Sequence, residues 1–407
     1  MKERAQRAIA ECRLIATMTE EPGRITRRFL TPPMHAVHAH LRARMEALGM
    51  GVHVDAVGNL RGLWVPERPN SKRLVLGSHI DTVPDAGAFD GVLGVTVALE
   101  WVEIAQQAGL PLAIEVIAFS EEEGVRYGLP YFGSRAVAGR FDPALLTLKD
   151  AEGVTVDAAL RAFGLDPGRI GEAALDSDAI CFFEIHIEQG PVLEAEGLSL
   201  AAVTAIVGQS RLTLTFTGHA NHAGTAPMRL RRDALVAAAE WITVVEELGK
   251  RTNGLAATVG RVSVEPNVGN VVPGVARVSL DVRHANNRIR ISAVEELLSA
   301  ASAIAERRGL TLDCTGQLEQ PAVPMDAHLT ALLGSAIEAA GFPLKTMPSG
   351  AGHDAIVMAG RLPTAMLFVR SPGGISHHPD ESVREEDIEA SLHVAREFLP
   401  RLAKDFG

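Results

Sequence analysis

Histidine, aspartate and glutamate recur in five short stretches whose residue types could together hold metal ions and a water. Gly77-Ser78-His79-Ile80-Asp81-Thr82-Val83 sets an imidazole and a carboxylate two residues apart. Alternate residues of an extended segment point to the same side, so His79 would bind a metal while Asp81 orients its ring. Alone, the motif is weak evidence and reads more readily as a polar loop end. Phe89-Asp90-Gly91 precedes an apolar helical run, and the bland reading of Asp90 is an acid at a helix N-terminus. Ser120-Glu121-Glu122-Glu123-Gly124 places three carboxylates in succession. Such a run is commonly a solvated acidic turn. Held together at a strand end, the carboxylates would need a cation or a proton to offset their repulsion. Glu184-Ile185-His186-Ile187-Glu188-Gln189-Gly190-Pro191 puts His186 in an apolar strand, where an imidazole loses solvation unless it is paired or ligated. Gly373-Gly374-Ile375-Ser376-His377-His378-Pro379-Asp380-Glu381 adds two loop histidines.

Neutral imidazoles and carboxylates without a thiolate suit zinc, manganese, iron or nickel rather than an iron–sulfur cluster. His79, Asp90, Glu122, Glu123, His186 and His377 are too many for one closed tetrahedral zinc. They suit two ions sharing a carboxylate and a water. Other signals fail. Gly350-Ala351-Gly352-His353-Asp354-Ala355 matches a relaxed nucleotide fingerprint but follows Pro348-Ser349 rather than an apolar strand. There is no GxSxG, no Walker sequence and no cysteine beside a plausible histidine base.

The elements that must position these residues follow from apolar spacing. Helices are expected over 2–18 and 33–48. The second carries Met34, Val37, Leu41, Met45 and Leu48 at steps of three and four, with Gly49 as its stop. Short strands follow at 51–57 and 59–65. Residues 73–77, 112–119 and 179–187 read as buried strands, and 92–108 as a helix with Val95, Leu99 and Val102 on its apolar face. Strands without polar alternation, separated by helices, predict an α/β sheet covered on both faces. His79 and the acidic run then fall at carboxyl ends of strands, where open α/β sheets bind ligands. From 210 the pattern changes. A strand at 210–217, helix 231–249, strands 256–264 and 275–282, helix 291–308 and strand 310–316 give the β-α-β-β-α-β order of a ferredoxin-like domain. Residues 318–324 lead back to helix 325–340, and strand 363–369 and helix 385–402 close the chain. The expected organisation is an α/β domain with helices on both faces of a mixed sheet (1–207 and 318–407), interrupted by a smaller, ferredoxin-like α+β domain (208–317).

A chain of 407 residues accommodates two domains at roughly 100–200 residues each. Hydrophobic residues at 47% and charged residues at 22% exclude a disordered or collagen-like chain. With 39 basic and 50 acidic residues the net charge is −11, which lacks the footprint of a nucleic-acid binder and disfavours an anionic membrane surface. Cys12, Cys181 and Cys314 are far apart and odd in number, as in a reducing compartment. No run reaches about 18 apolar residues, and the charged first residues lack the apolar centre of a signal peptide. A cytoplasmic protein is expected.

The motifs GSHIDTV, FDGVLGV, FSEEEG, EIHIEQGP, HANHAGTAPM, NVGNVVPG, LDVR, SGAGHDA and GGISHHPDE span nearly the whole chain. Together they resemble the M20-type binuclear metallohydrolases, in the hydantoinase/carbamoylase branch. That branch contains N-carbamoyl-L-amino acid hydrolases, β-ureidopropionases and allantoate amidohydrolases. The resemblance implies two divalent ions per subunit, manganese or zinc, with cobalt or nickel as alternatives. Asp90 would bridge them, His79 and His186 would complete one, and Glu123 and His377 the other. Gly124 places the family's Glu-Glu pair on Glu122 and Glu123, which makes Glu122 the general base and leaves Glu121 in place of a commonly neutral residue. His186 stands where the peptidase branches use a carboxylate. His378 receives no role, although the doublet leaves two candidates. Arg283 would hold a substrate carboxylate, Gln189 and Asn270 would contact the substrate, and His222 would reach a neighbouring subunit's site to stabilise an oxyanion. The Ser349–Gly352 backbone would also approach the substrate. The bland readings are a surface arginine, a turn asparagine and a loop histidine.

The resemblance also makes 208–317 a lid and dimerisation domain of a metal-dependent hydrolase, so the implied partner is a small ureido carboxylate and the implied assembly a homodimer through that domain. The stretches at 28–34, 53–62 and 82–91 resemble allantoate amidohydrolases most. N-carbamoyl-L-amino acid hydrolase or β-ureidopropionase is the alternative. An aminoacylase or peptidase, or a non-catalytic binding protein, comes after these.

Overall fold

Four strands of near-continuous apolar sequence, Ala113–Phe119, Arg73–His79, Ala179–Ile187 and Thr364–Val369, lie side by side in that order and run parallel. The computed structural model describes residues 1–69 and 72–406. Leu60–Trp64 and then Gly51–Val54 extend the sheet antiparallel at one side, and Leu200–Ile206 does so at the other. The sheet is therefore mixed, as expected. Alternation along Ala179–Ile187 separates its two faces. Cys181, Phe183, Ile185 and Ile187 join the core formed with helices Lys2–Ala16, Val92–Gln107 and Glu385–Phe406. The Phe183 ring lies 5.0 Å from both Trp101 and Phe398, contacts worth about 0.5–1.5 kcal/mol each beyond buried area. Glu184 and His186 point to the opposite face, where the Ala355 N–H that opens helix Ala355–Met358 donates to Glu184 (3.0 Å).

The chain divides into two units, Met1–Thr204 with Met325–Gly407, and Ala205–Pro324. In the second, Thr311–Gln320, Gly208–Thr217, Val275–His284 and Val262–Glu265 pair antiparallel in that order. Helices Ala234–Arg251 and Asn287–Arg308 pack around Phe216, Trp241, Leu280 and Leu297. This is the ferredoxin-like order. The units divide at 204/205 and 324/325 rather than 207/208 and 317/318. Strand Thr311–Gln320 stays paired past a register shift at Gly316/Leu318, where a linker was expected. Side-chain caps reset the two helix starts: Asp233 accepts the Leu235 and Val236 N–H groups, and Asn286 accepts that of Arg288. The expected strand 256–264 is two, Ala256–Thr258 and Val262–Glu265. Among the described residues, no helix is long and apolar enough to cross a membrane.

Candidate metal centre

The carboxyl ends of the parallel strands converge on one cluster. His79 ends its strand, Glu122 and Glu123 follow Ala113–Phe119, His186 lies near the end of Ala179–Ile187, and His377 sits in the loop after Thr364–Val369. Asp90 lies just before helix Val92–Gln107. It does not cap that helix, for no side-chain cap bond is made there. Instead Asp90 Oδ1 is 3.3 Å from His186 Nε2 and 3.7 Å from His79 Nε2, and Oδ2 is 3.1 Å from His377 Nε2. Two donor sets result, His79–Asp90–His186 and Asp90–Glu123–His377, with Asp90 common to both. Glu122 falls in a third grouping with His79 and Glu123.

Ring orientation tests whether cations fit. His79 Nδ1 lies 3.0 Å from the Asp81 carbonyl, and His186 Nδ1 lies 3.0 Å from the Ile187 carbonyl. Both carbonyls are acceptors, so each Nδ1 carries the proton and each Nε2 turns a lone pair inward. The two Nε2 atoms are 3.5 Å apart, and Asp90 Oδ1, buried between them, has no hydrogen-bond donor. Three lone pairs converging in a dry site repel unless a cation joins them, so the donor set fits a divalent ion. In the ion-free chain, protons shared with the imidazoles take the place of that cation. Burial alone would raise Asp90, but His186, His377 and His79 hold it well below the usual carboxylate range. His79 is raised despite its burial, by Asp90, Glu122 and Asp81. His377 is raised to about 9, by Asp90 first and then Glu123. Burial and neighbouring carboxylates raise Glu122, and raise Glu123 to about 7.

The acidic triplet separates cleanly. Asp81 Oδ1 and Oδ2 accept the Glu122 and Glu123 N–H groups (3.0 and 3.1 Å). Glu121, at φ +50°, turns away and accepts the Arg126 N–H (3.2 Å). Of the histidine doublet, His377 enters the cluster, whereas His378 is exposed and accepts the Asp380 N–H (3.2 Å). Gln189 donates through Nε2 to Asp90 Oδ2 (3.0 Å) and Ser376 Oγ (3.2 Å), while its Oε1 is buried without a partner. It thus holds the shared carboxylate directly.

Three other expected residues lie in the second unit. Strand Asn221–His222 pairs with Val271–Val272, and the Ala223 N–H donates to the Asn270 carbonyl (2.9 Å), which brings His222 and Asn270 into one hairpin-like pair. His222 Nδ1 accepts the Gly224 N–H (3.1 Å), which leaves its proton on Nε2 as a donor. Arg283 makes a two-point contact with Asp281 (2.8 and 3.0 Å), which Arg211 also contacts.

Residues 75–401 match the family described as peptidase family M20/M25/M40. The chain belongs to that family. Among curated relatives, it is 35% identical over 431 residues to a "Probable allantoate deiminase" of Oryza sativa subsp. japonica, covering 96% of this chain and 87% of that one. It is 36% identical over 385 residues to an "N-carbamoyl-L-amino acid amidohydrolase" of Geobacillus stearothermophilus, covering 94% of each. Among solved structures, an amidase of the hydantoinase/carbamoylase family from Burkholderia multivorans superposes with a TM-score of 0.91 at 32% identity, covering 98% of both chains.

Several residues that shape this site lie in the motifs FDGVLGV, SGAGHDA and GGISHHPDE, but their roles show only in the fold. Glu381 accepts the Phe89 and Asp90 N–H groups (2.9 and 3.0 Å) and the Ser376 hydroxyl (3.0 Å), tying the Asp90 turn to the His377 loop. Gly91, at φ +68°, admits no side chain, because a Cβ would meet three atoms of the His79 ring at 2.5 Å. His353 is fully buried, its ring centroid 4.4 Å from that of His186 and its Nε2 2.9 Å from Ser349 Oγ.

Proposed function

We propose that the protein hydrolyses the C–N bond of a ureido group in a small carboxylate substrate, using two divalent ions. Allantoate is the favoured substrate, giving ureidoglycine, ammonia and carbon dioxide. N-carbamoyl-L-amino acids come next, because relatives named for both activities resemble the chain to similar degrees. The observation that carries the reading is Asp90, one carboxylate shared by two donor sets in which imidazoles supply three of the other four donors.

When bound by these sets, the ions would polarise the ureido carbonyl and acidify a water. The chain's own residues do the rest. Glu122 takes a proton from the attacking water and passes it to the departing ammonia. Its burial beside Glu123, Asp354 and Asp81 raises its proton affinity, which suits that shuttle. Asp81 acts by holding His79 and the Glu122–Glu123 backbone. His222 Nε2–H, supplied by the partner subunit of a homodimer formed through the Ala205–Pro324 unit, donates to the developing oxyanion. Arg283 takes the substrate carboxylate, sharing or releasing Asp281 to do so, and Asn270 and Gln189 supply amide contacts. Manganese and zinc head the ions this oxygen and nitrogen set accepts, with cobalt and nickel behind them.

A substrate series tests the proposal. The metal-loaded protein is offered allantoate, N-carbamoyl-L-amino acids, 3-ureidopropionate and N-acyl amino acids. Ammonia release from ureido compounds with little turnover of acyl compounds is expected. Preference for acyl amides would make it an aminoacylase or peptidase, and binding without turnover would make it a non-catalytic protein.

A further inference from the structure

Arg27 belongs to neither donor set, yet its side chain is 1% exposed. Its Nε donates to the Ile80 carbonyl at 2.6 Å, and Nη1 donates to the Ile15 and Met18 carbonyls at 3.3 and 3.2 Å. The Arg27 main chain also pairs with Thr82: its N–H donates to Thr82 Oγ1 (2.9 Å) and its carbonyl accepts the Thr82 N–H (2.9 Å). Arg27 therefore grips both residues that flank Asp81. Asp81 in turn orients one donor from each set, His79 through its carbonyl and Glu123 through the Glu123 N–H. A buried cation whose hydrogen-bond acceptors are all main-chain carbonyls is unfavourable without a nearby negative field. Burial pushes the guanidinium down to about 10, and Asp81 is the neighbour that opposes this most.

We propose that Arg27 is a positioning residue for the metal centre: it fixes the peptides on either side of Asp81, and its loss loosens ion binding. The inference rests on the two-ion reading above. Two effects of removing Arg27 oppose each other. Its positive charge repels a divalent ion, so deletion would tighten binding. Deletion also releases the Ile80 side of Asp81, leaving only the main-chain pair with Thr82, and so loosens His79 and Glu123. The second effect wins, because the intervening carboxylates damp the repulsion, whereas metal–ligand distances tolerate only about ±0.2 Å.

Arg27→Met, Arg27→Lys and Thr82→Val test this. Ion affinity is read by competition with a chromogenic chelator for manganese and zinc, and ligand geometry by the visible absorption of the cobalt-loaded chain. Circular dichroism establishes folding. Arg27→Met is expected to weaken at least one site by about 10–100-fold, the range for losing a partner that orients metal ligands, and to alter the cobalt spectrum. Arg27→Lys keeps the charge without the fork and should fall between Met and wild type. Thr82→Val, which removes one hydrogen bond, should weaken binding by a few-fold. Folded Arg27→Met that binds as tightly as wild type, or more tightly, overturns the proposal. If Arg27→Met does not fold, unchanged affinity in both Arg27→Lys and Thr82→Val overturns it. A wild-type chain that binds no divalent ion overturns the two-ion reading and this proposal with it. Wild type binding two ions beside variants that bind as well overturns this proposal alone.

Discussion

Glu122→Gln separates catalysis from architecture. The substitution replaces one carboxylate oxygen with an amide group and leaves in place the backbone contact that fixes the residue, Glu122 N–H to Asp81 Oδ1 at 3.0 Å. The side chain is buried, so the amide occupies the carboxyl's volume. Loss of a general base lowers turnover by about 10²–10⁴-fold. At about 1.36 kcal/mol per tenfold, that raises the barrier by about 2.7–5.5 kcal/mol. The same change should not harm the fold. Burial first, then Glu123, Asp354 and Asp81, raise the Glu122 carboxyl above its ordinary range, with His79 opposing. A carboxyl raised in the folded state destabilises that state once ionised, so at alkaline pH its neutral replacement should stabilise the ion-free chain. The assays are steady-state ammonia release, ion content and the thermal midpoint on one preparation. Full turnover with both ions bound would refute Glu122 as the base. A collapsed midpoint would show instead that Glu122 is structural.

Ion affinity should rise with pH, because His377, raised to about 9, and His79, also raised, must surrender protons to coordinate. The stability that protonated His377 gives the ion-free chain is complete below about 6.5, its ordinary value, and is lost as pH rises through about 9. Chelation should therefore lower the thermal midpoint more near pH 9 than near pH 6, and an equal drop at both would contradict this. Gly91→Ala puts a side chain on a positive-φ conformation outside the left-handed helical well (φ +68°, ψ −53°), at a cost of about 1–3 kcal/mol, and pushes on the His79 ring. Ion content should fall by the site His79 serves, and two ions at normal affinity would contradict that account of Gly91. Mixing inactive Glu122→Gln and inactive His222→Ala chains should restore part of the activity, and no recovery from a mixed dimer would place His222 in its own subunit's site.

Much of this cluster is legible in the sequence because its side chains lie at or just after the ends of parallel strands. The apolar runs before His79, Ser120 and His186 mark strands by composition alone, and the donors follow at the carboxyl ends. Asp90 was harder, since an acid before a helix is ordinary; only its distances to three imidazoles remove the capping interpretation. Gln189 reads as a substrate contact, but the fold aims its amide at Asp90. The roles of Glu381 and Arg27 stay hidden because they act on backbone groups far away in the chain, and no local pattern records such partners. The short helices Phe132–Val137 and Val156–Ala162 escape detection for another reason. They are held by a small core of Phe29, Tyr127, Phe132 and Leu160 and are too short to show helical periodicity.

The most direct test is a metal titration of ammonia release. Protein stripped with a chelator is given allantoate and increasing manganese, and ammonia is measured against ions bound per chain. The account expects no release without ions and a rise that levels off at two bound ions per chain, with N-carbamoyl-L-amino acids following the same titration if they are substrates. Release that survives complete stripping, or that levels off at a single ion, would contradict the shared-carboxylate centre.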